Sequence, residues 1–162
     1  MTEHALVVPF PELTGTLGDW LERTVPTKPS HGMPPHVTLL YPAPDDRPGI
    51  AELLAGRAAF EVSFRRLDRF PGTLWLAPEP ADPFRTLTEL LTARYPDFQP
   101  YRGAFKRIIP HLTVAQAELD EAAAAVAPLL PLHVSARAAV LLEAVEPDDW
   151  SETARFPFDA AA

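Results

Sequence analysis

The sequence predicts an α+β fold built by internal duplication, and three patterns carry that reading. Runs that alternate apolar and polar with period two mark strands, and apolar residues at i, i+4, i+7 and i+8 mark helices. Segments of the two kinds succeed one another along 162 residues. Finally, one strand–helix–loop–strand unit occurs twice, and each copy ends in Pro-His-apolar-Thr-apolar.

The elements follow in order. Residues 5–11, ALVVPFP, read as a strand ended by prolines, and LTGTLGDWLERT places Leu13, Leu17, Trp20 and Leu21 on one helical stripe, with Trp20 in the core. A loop, VPTKPSHGMPP, leads into PPHVTLLYP, residues 34–42, a run fit for a buried strand. DDRPGIAELLAG is a short helix with an Asp cap and Gly56 at its end. FEVSFRRL from Phe60 alternates as a half-exposed strand, and TLWLAP, residues 73–78, is another. DPFRTLTELLTARYP is a helix in which Asp82 is expected to cap, Pro83 opens the first turn, and Phe84, Leu87, Leu90 and Leu91 form the buried stripe. The loop DFQPYRGAFKRII leads into PHLTVAQ, an Ala-rich helix follows around 118–130, and LHVSARAAVLLEAVE and ETARFPF read as closing strands.

The first unit runs LVVPFPE, helix, loop, PPHVTLLY; the second runs LWLAPEP, helix, loop, IPHLTVAQ. A duplicated supersecondary unit packs against its twin. The two motif strands are then expected about a pseudo-twofold axis, with His36 and Thr38 facing His111 and Thr113 across a shared cleft. On a strand, His36 and Thr38 share one face while Val37 and Leu39 take the other. A single H-x-T carries little, since a lone strand histidine is usually a hydrogen-bonded core or surface residue. Core packing gives no reason to repeat the polar face; a two-sided active site does.

Histidine titrates near pH 6.5, so two in one cleft can divide the roles of base and acid. In-line displacement at phosphorus needs a base on the attacking side and an acid on the leaving side, which twofold-related strands provide. Thr38 and Thr113 supply hydroxyl donors to the non-bridging oxygens. Arg107, with Arg102 and Lys106 behind it, is expected to neutralise the remaining charge. RRLDR, residues 65–69, is a second basic cluster, and for both clusters solvated surface is the plainer reading. Zinc wants three or four ligands, and neither H-x-T offers a second at short range, so no metal is expected. A Ser-His-Asp hydrolase fits badly, because G-x-S-x-G is absent.

The formal net charge of −8 argues against a grip on long nucleic acid, though not against a small anionic ligand. No stretch approaches bilayer length, the N-terminus lacks a basic n-region, and there are no cysteines. A cytoplasmic location is the default expectation.

At PHVTL and PHLTV the sequence resembles the two-histidine (2H) phosphoesterase superfamily, defined by two H-x-[TS]-x motifs. Within it, PPHVTLLYP and ALVVPFPE are similar to the bacterial 2′-5′ RNA ligase-like branch. The resemblance spans Ala5 to about residue 158. It implies one domain over 1–162 with repeat units at about 5–42 and 73–116. It also implies a bilobal pseudo-twofold duplication in which two antiparallel β-sheets form a central cleft with helices packed outside. The implied chemistry is metal-independent opening of 2′,3′-cyclic phosphates of RNA ends or nucleotides, or of related 2′-5′ or cyclic phosphodiesters. His36, Thr38, His111 and Thr113 fall on the catalytic positions. No cofactor is expected; the partner is a small nucleotide or RNA terminus, the membrane is not one, and the chain is a monomer.

Trp75, Tyr41 and Phe105 are candidates for stacking a nucleobase, against the plainer reading of packing. His4 and His31 are expected exposed in a tail and a loop, and His133 borders solvent. Two other functions stay open: a module that binds a nucleotide in the same cleft without turnover, and a structural protein in which the repeated polar faces are accidental.

Overall fold

The computed structural model describes residues 2–17, 20, 34–100, 108–146 and 149–160. Within them lie β1 (His4–Pro9), β2 (His36–Leu40), β3 (Phe60–Phe70), β4 (Thr73–Glu79), β5 (Leu112–Ala115), β6 (Leu132–Ala136), β7 (Ala138–Glu146) and β8 (Asp149–Pro157). Three helices accompany them, α1 (Arg47–Leu54), α2 (Asp82–Arg94) and α3 (Leu119–Val126), with 3-10 turns at Pro11–Leu13 and Ala127–Leu129. Residues 14–17 and 20 are also helical, as the Leu13–Leu17–Trp20 stripe predicts, and Trp20 packs against the core. No helix among the described residues is long and apolar enough to cross a membrane.

The strands form one eight-stranded sheet in the order β6-β3-β4-β5-β2-β1-β7-β8, and every ladder in it is antiparallel. The expectation of two separate sheets is therefore not what the pairing gives. Two four-stranded runs meet at β5 and β2, where Val37 pairs with Leu112. β1 and β2 of the first unit are mirrored in the order by β4 and β5 of the second, so both H-x-T strands lie at the centre of the sheet.

Period-two alternation decides the faces. Leu6, Val8, Val37, Leu39, Leu76, Leu112 and Val114 enter one buried cluster with Ile50 and Leu54 of α1, Phe84, Leu87 and Leu91 of α2, and Ala122 and Val126 of α3. This face of the sheet is the core. On the other face a smaller cluster of Ala5, Val7, Val140 and Leu142 is packed by Tyr41 and Trp150.

The helix ends follow the chain chemistry, with one correction. Asp46 caps α1, its Oδ1 accepting from the Gly49 amide at 3.1 Å, and Gly56 beyond the helix end sits at φ +77°, where glycine has no Cβ to clash. Asp82 does not cap α2. It is the helix's first residue after Ala81, and its carboxylate pairs with Arg85 at 2.9 Å. Acid in the first turn and Arg94 in the last still complement the helix dipole. The Tyr95 hydroxyl at the end of α2 donates to Asp46 at 2.8 Å and ties α2 to α1. Burial, with Asp46 behind it, pushes the Tyr95 phenol up to about 12, so it remains a donor.

One irregularity shapes the site strand. Leu6 pairs with Leu40 but Val7 with Thr38, so Leu39 is an extra residue in β2. Its carbonyl accepts from the Thr88 hydroxyl of α2 at 2.7 Å, with Thr88 only 3% exposed.

Candidate active site

The Val37–Leu112 pairing sets the register of the two motifs. Continued outward, it sets His36 opposite Thr113 and Thr38 opposite His111. Residues directly opposite on antiparallel strands point to the same side. The four polar residues thus share the face away from Val37, Leu39, Leu112 and Val114, whose side chains fill the core. His36 and His111 stand diagonally, with Cα atoms about 7–8 Å apart by strand geometry. All four are half-buried.

Each imidazole is anchored by its own strand. His36 Nδ1 lies 3.0 Å from the Pro34 carbonyl, and His111 Nδ1 lies 2.8 Å from the Ile109 carbonyl. A carbonyl only accepts, so Nδ1 carries the hydrogen in both rings and the lone pair is on Nε2. The Pro-His step repeats in both units, and so does this bond to residue i−2. Burial lowers the pKa of His36 from its ordinary value, the bond to Pro34 opposes that, and the charge of a protonated His111 lowers it again. Burial likewise lowers His111, opposed by its bond to Ile109. Both shifts favour the neutral ring in the free protein, where the sequence alone allowed one to be charged.

The flanks of the site break the twofold symmetry. Thr38 lies opposite Val7 on β1, whereas Thr113 lies opposite Trp75 on β4. Trp75 is only 4% exposed and has Phe70 stacked on it, with ring centroids 4.8 Å apart and planes at 28°. Both rings sit against His111, Phe70 at 5.1 Å and 87°, Trp75 at 5.8 Å and 65°. Tyr41, one residue past β2, lies edge-on to Trp150 at 6.0 Å, and its hydroxyl bonds Glu3.

The structure thus brings together His36, Thr38, His111, Thr113 and Trp75, with Tyr41 beside the first motif. Arg102, Lys106, Arg107, Phe105 and His31 lie outside the described residues. His4 is not exposed as expected. It is 8% exposed on β1, with Nε2 3.8 Å from Asp45 and 3.7 Å from Glu143. His133 is exposed and hydrogen-bonds Ser63 at 2.9 Å. Phe70 is a site residue that sequence reasoning missed. The signal was present in Pro71-Gly72, whose two-residue turn sets Phe70 opposite Thr73 and so on the face of Trp75. Among the described residues, no three His, Cys, Asp or Glu side chains form a group that could hold a metal ion.

A family model described as the 2′-5′ RNA ligase superfamily matches residues 18–148. A search of curated proteins by sequence returns no match. Among solved structures, the Thermus thermophilus protein TT0787 superposes with a TM-score of 0.66 at 19% identity, covering 99% of each chain. E. coli LigT complexed with NADP+ gives 0.62 at 17% identity, covering 97% of each chain. A crystal structure described as a phosphoesterase gives 0.63 at 17%, covering 98% of this chain and 99% of that one. At these identities the likeness is one of fold.

Proposed function

The chain belongs to the 2′-5′ RNA ligase superfamily, and from that premise we propose that it is a metal-independent phosphodiesterase acting on 2′,3′-cyclic phosphates of nucleotides or RNA ends, or on related 2′-5′ or cyclic phosphodiesters. The observation that carries the reading is the pairing of two H-x-T faces on adjacent central strands, each imidazole tied back through Nδ1 to the carbonyl two residues earlier, so that the lone pair is on Nε2. A purely structural role gives no reason for both units to do this. E. coli LigT, which shares the fold, has been crystallised with NADP+, 3′-AMP, ATP and phosphate, which supports a small nucleotide as the ligand.

In the proposed reaction a cyclic phosphodiester, singly negative, enters between the two imidazoles, and its charge favours protonation of one of them. The Nε2 lone pair of the neutral ring takes a proton from a water molecule as that water's oxygen bonds to phosphorus. The bond from phosphorus to one ribose oxygen breaks on the opposite side, and the imidazolium delivers its proton to that oxygen. The product is a nucleoside monophosphate, and the two histidines end with their protonation states exchanged. Thr38 and Thr113 donate to the non-bridging oxygens as negative charge builds there. Acid–base assistance of this kind contributes on the order of 10²–10⁴-fold in rate.

The test is turnover of nucleoside 2′,3′-cyclic monophosphates and of a short RNA with a cyclic end, in the presence of a chelator. Chelator-resistant hydrolysis is the expected result. A folded protein that turns over none of these, or only with added metal, contradicts the proposal.

A further inference from the structure

We propose that Phe70 is the surface on which the substrate's nucleobase stacks. The inference rests on the phosphodiesterase reading and gives that site its base-binding face. By register Phe70 sits opposite Thr73 at the closed end of the β3–β4 hairpin, two strands away from His111. Its ring nevertheless reaches within 5.1 Å of the His111 centroid, so the side chain leans back over Trp75 toward the site.

The three ring separations, 4.8 Å for Phe70–Trp75, 5.1 Å for Phe70–His111 and 5.8 Å for Trp75–His111, form a triangle that is acute at Phe70. Phe70 is thus stacked on Trp75 and perpendicular to His111, in contact with both. Phe70 is half-buried whereas Trp75 is nearly closed off, so of the two stacked rings Phe70 is the one within reach of a ligand. This reassigns the stacking role that the sequence suggested for Trp75: the indole is the underlay and Phe70 the platform.

Trp75 supports this through an oddity of its own. Its Nε1 is buried and has no hydrogen-bond partner among the described residues. A buried donor left unmade is destabilising, and a phenylalanine there would avoid that. The indole is thus held for the area of its face, which backs Phe70. In the other half of the sheet the position opposite the motif threonine is Val7, so an aromatic residue opposite a motif threonine occurs on the His111 side. A base laid on Phe70 continues the stack by one ring and keeps its ribose phosphate beside His111. Stacking of this kind tolerates any base, since each has a π-face.

The test measures binding by calorimetry for 3′-AMP, 3′-CMP and inorganic phosphate, on wild type, Phe70→Leu and Phe70→Trp. Leucine keeps apolar bulk without a π-face, and circular dichroism checks that each variant is folded. The expected result is that Phe70→Leu lowers the ratio of nucleotide to phosphate affinity about 5- to 150-fold, the range for losing one base stack. Phe70→Trp restores it, and 3′-AMP loses more than 3′-CMP. An unchanged ratio in Phe70→Leu overturns the assignment of Phe70 while leaving the phosphodiesterase reading intact. A wild type that binds neither phosphate nor nucleotide overturns that reading and the platform with it.

Discussion

Replacing Thr88 with valine tests how the first motif strand is held. The bulge in β2 takes Leu39 out of register with β1, and its carbonyl is supplied by the Thr88 hydroxyl at 2.7 Å. Valine removes the donor while keeping the branched shape. A buried acceptor left without its partner costs about 1–3 kcal/mol. Exchanging hydroxyl for methyl at a site 3% exposed returns at most about 0.8 kcal/mol of apolar burial. The two effects have opposite signs, and the lost bond is the larger. The net destabilisation is about 0.2–2 kcal/mol, or a melting temperature up to roughly 8 °C lower for a chain of this size. Thermal unfolding followed by circular dichroism reads it directly. Because the bulge follows Thr38 by one residue, kcat on a cyclic phosphate is expected to fall as well. A variant as stable as wild type, or more stable, would refute the reasoning, since it would mean that burial rather than the bond sets the worth of Thr88.

The remaining predictions concern pH and the join between α1 and α2. Burial lowers both site histidines, and the charge of His111 lowers His36 further, so the singly protonated pair that acid–base catalysis needs is populated chiefly below pH 6.5 in the free enzyme. The expected kcat/KM therefore declines about tenfold per pH unit above neutrality, whereas kcat holds to higher pH because the bound anion favours the imidazolium; a kcat/KM level to pH 8 would contradict this. The same shifts make folding stability full above pH 6.5 and lost as pH falls through the lowered native values, because the unfolded chain then binds more protons than the native one. Urea unfolding at a series of pH values checks the sign, and a stability that rises on acidification from pH 6.5 would count against it. At Gly49 a Cβ would meet the Asp46 carboxylate and the Tyr95 hydroxyl. Gly49→Ala gains about 1 kcal/mol of helix propensity but is expected to lose more through this overpacking, for a net loss of up to about 2 kcal/mol in urea unfolding. A stabilised variant would show that the contact yields freely.

Much of this was legible in the sequence because it depends on local rules. Strand alternation put His36 and Thr38 on one face, and the repeat at His111 and Thr113 implied a twin. The Asp46 cap and Gly56 terminator stand where their chemistry requires. What escaped was tertiary. Whether two four-stranded runs join into one sheet is decided by the Val37–Leu112 pair, and no local pattern states it. His4 reads as a polar tail residue, yet the β1–β7 ladder sets it opposite Glu143 and buries it. The broken symmetry around His111 comes from Phe70 folding back across two strands, which depends on the turn and the lean of one side chain. Asp82 carried a capping signal, but Ala81 takes the cap position and Asp82 begins the helix.

The central claim is that His36 and His111 act on one phosphate as a single unit. Its most direct measurement is kcat/KM on a nucleoside 2′,3′-cyclic monophosphate for His36→Ala, His111→Ala and the double variant, each shown to be folded. Groups that act together lose their effect together. Each single variant is expected to fall by at least about 10²-fold, and the double variant to fall little further. Single variants near the wild-type rate, or losses that multiply in the double, would contradict the claim.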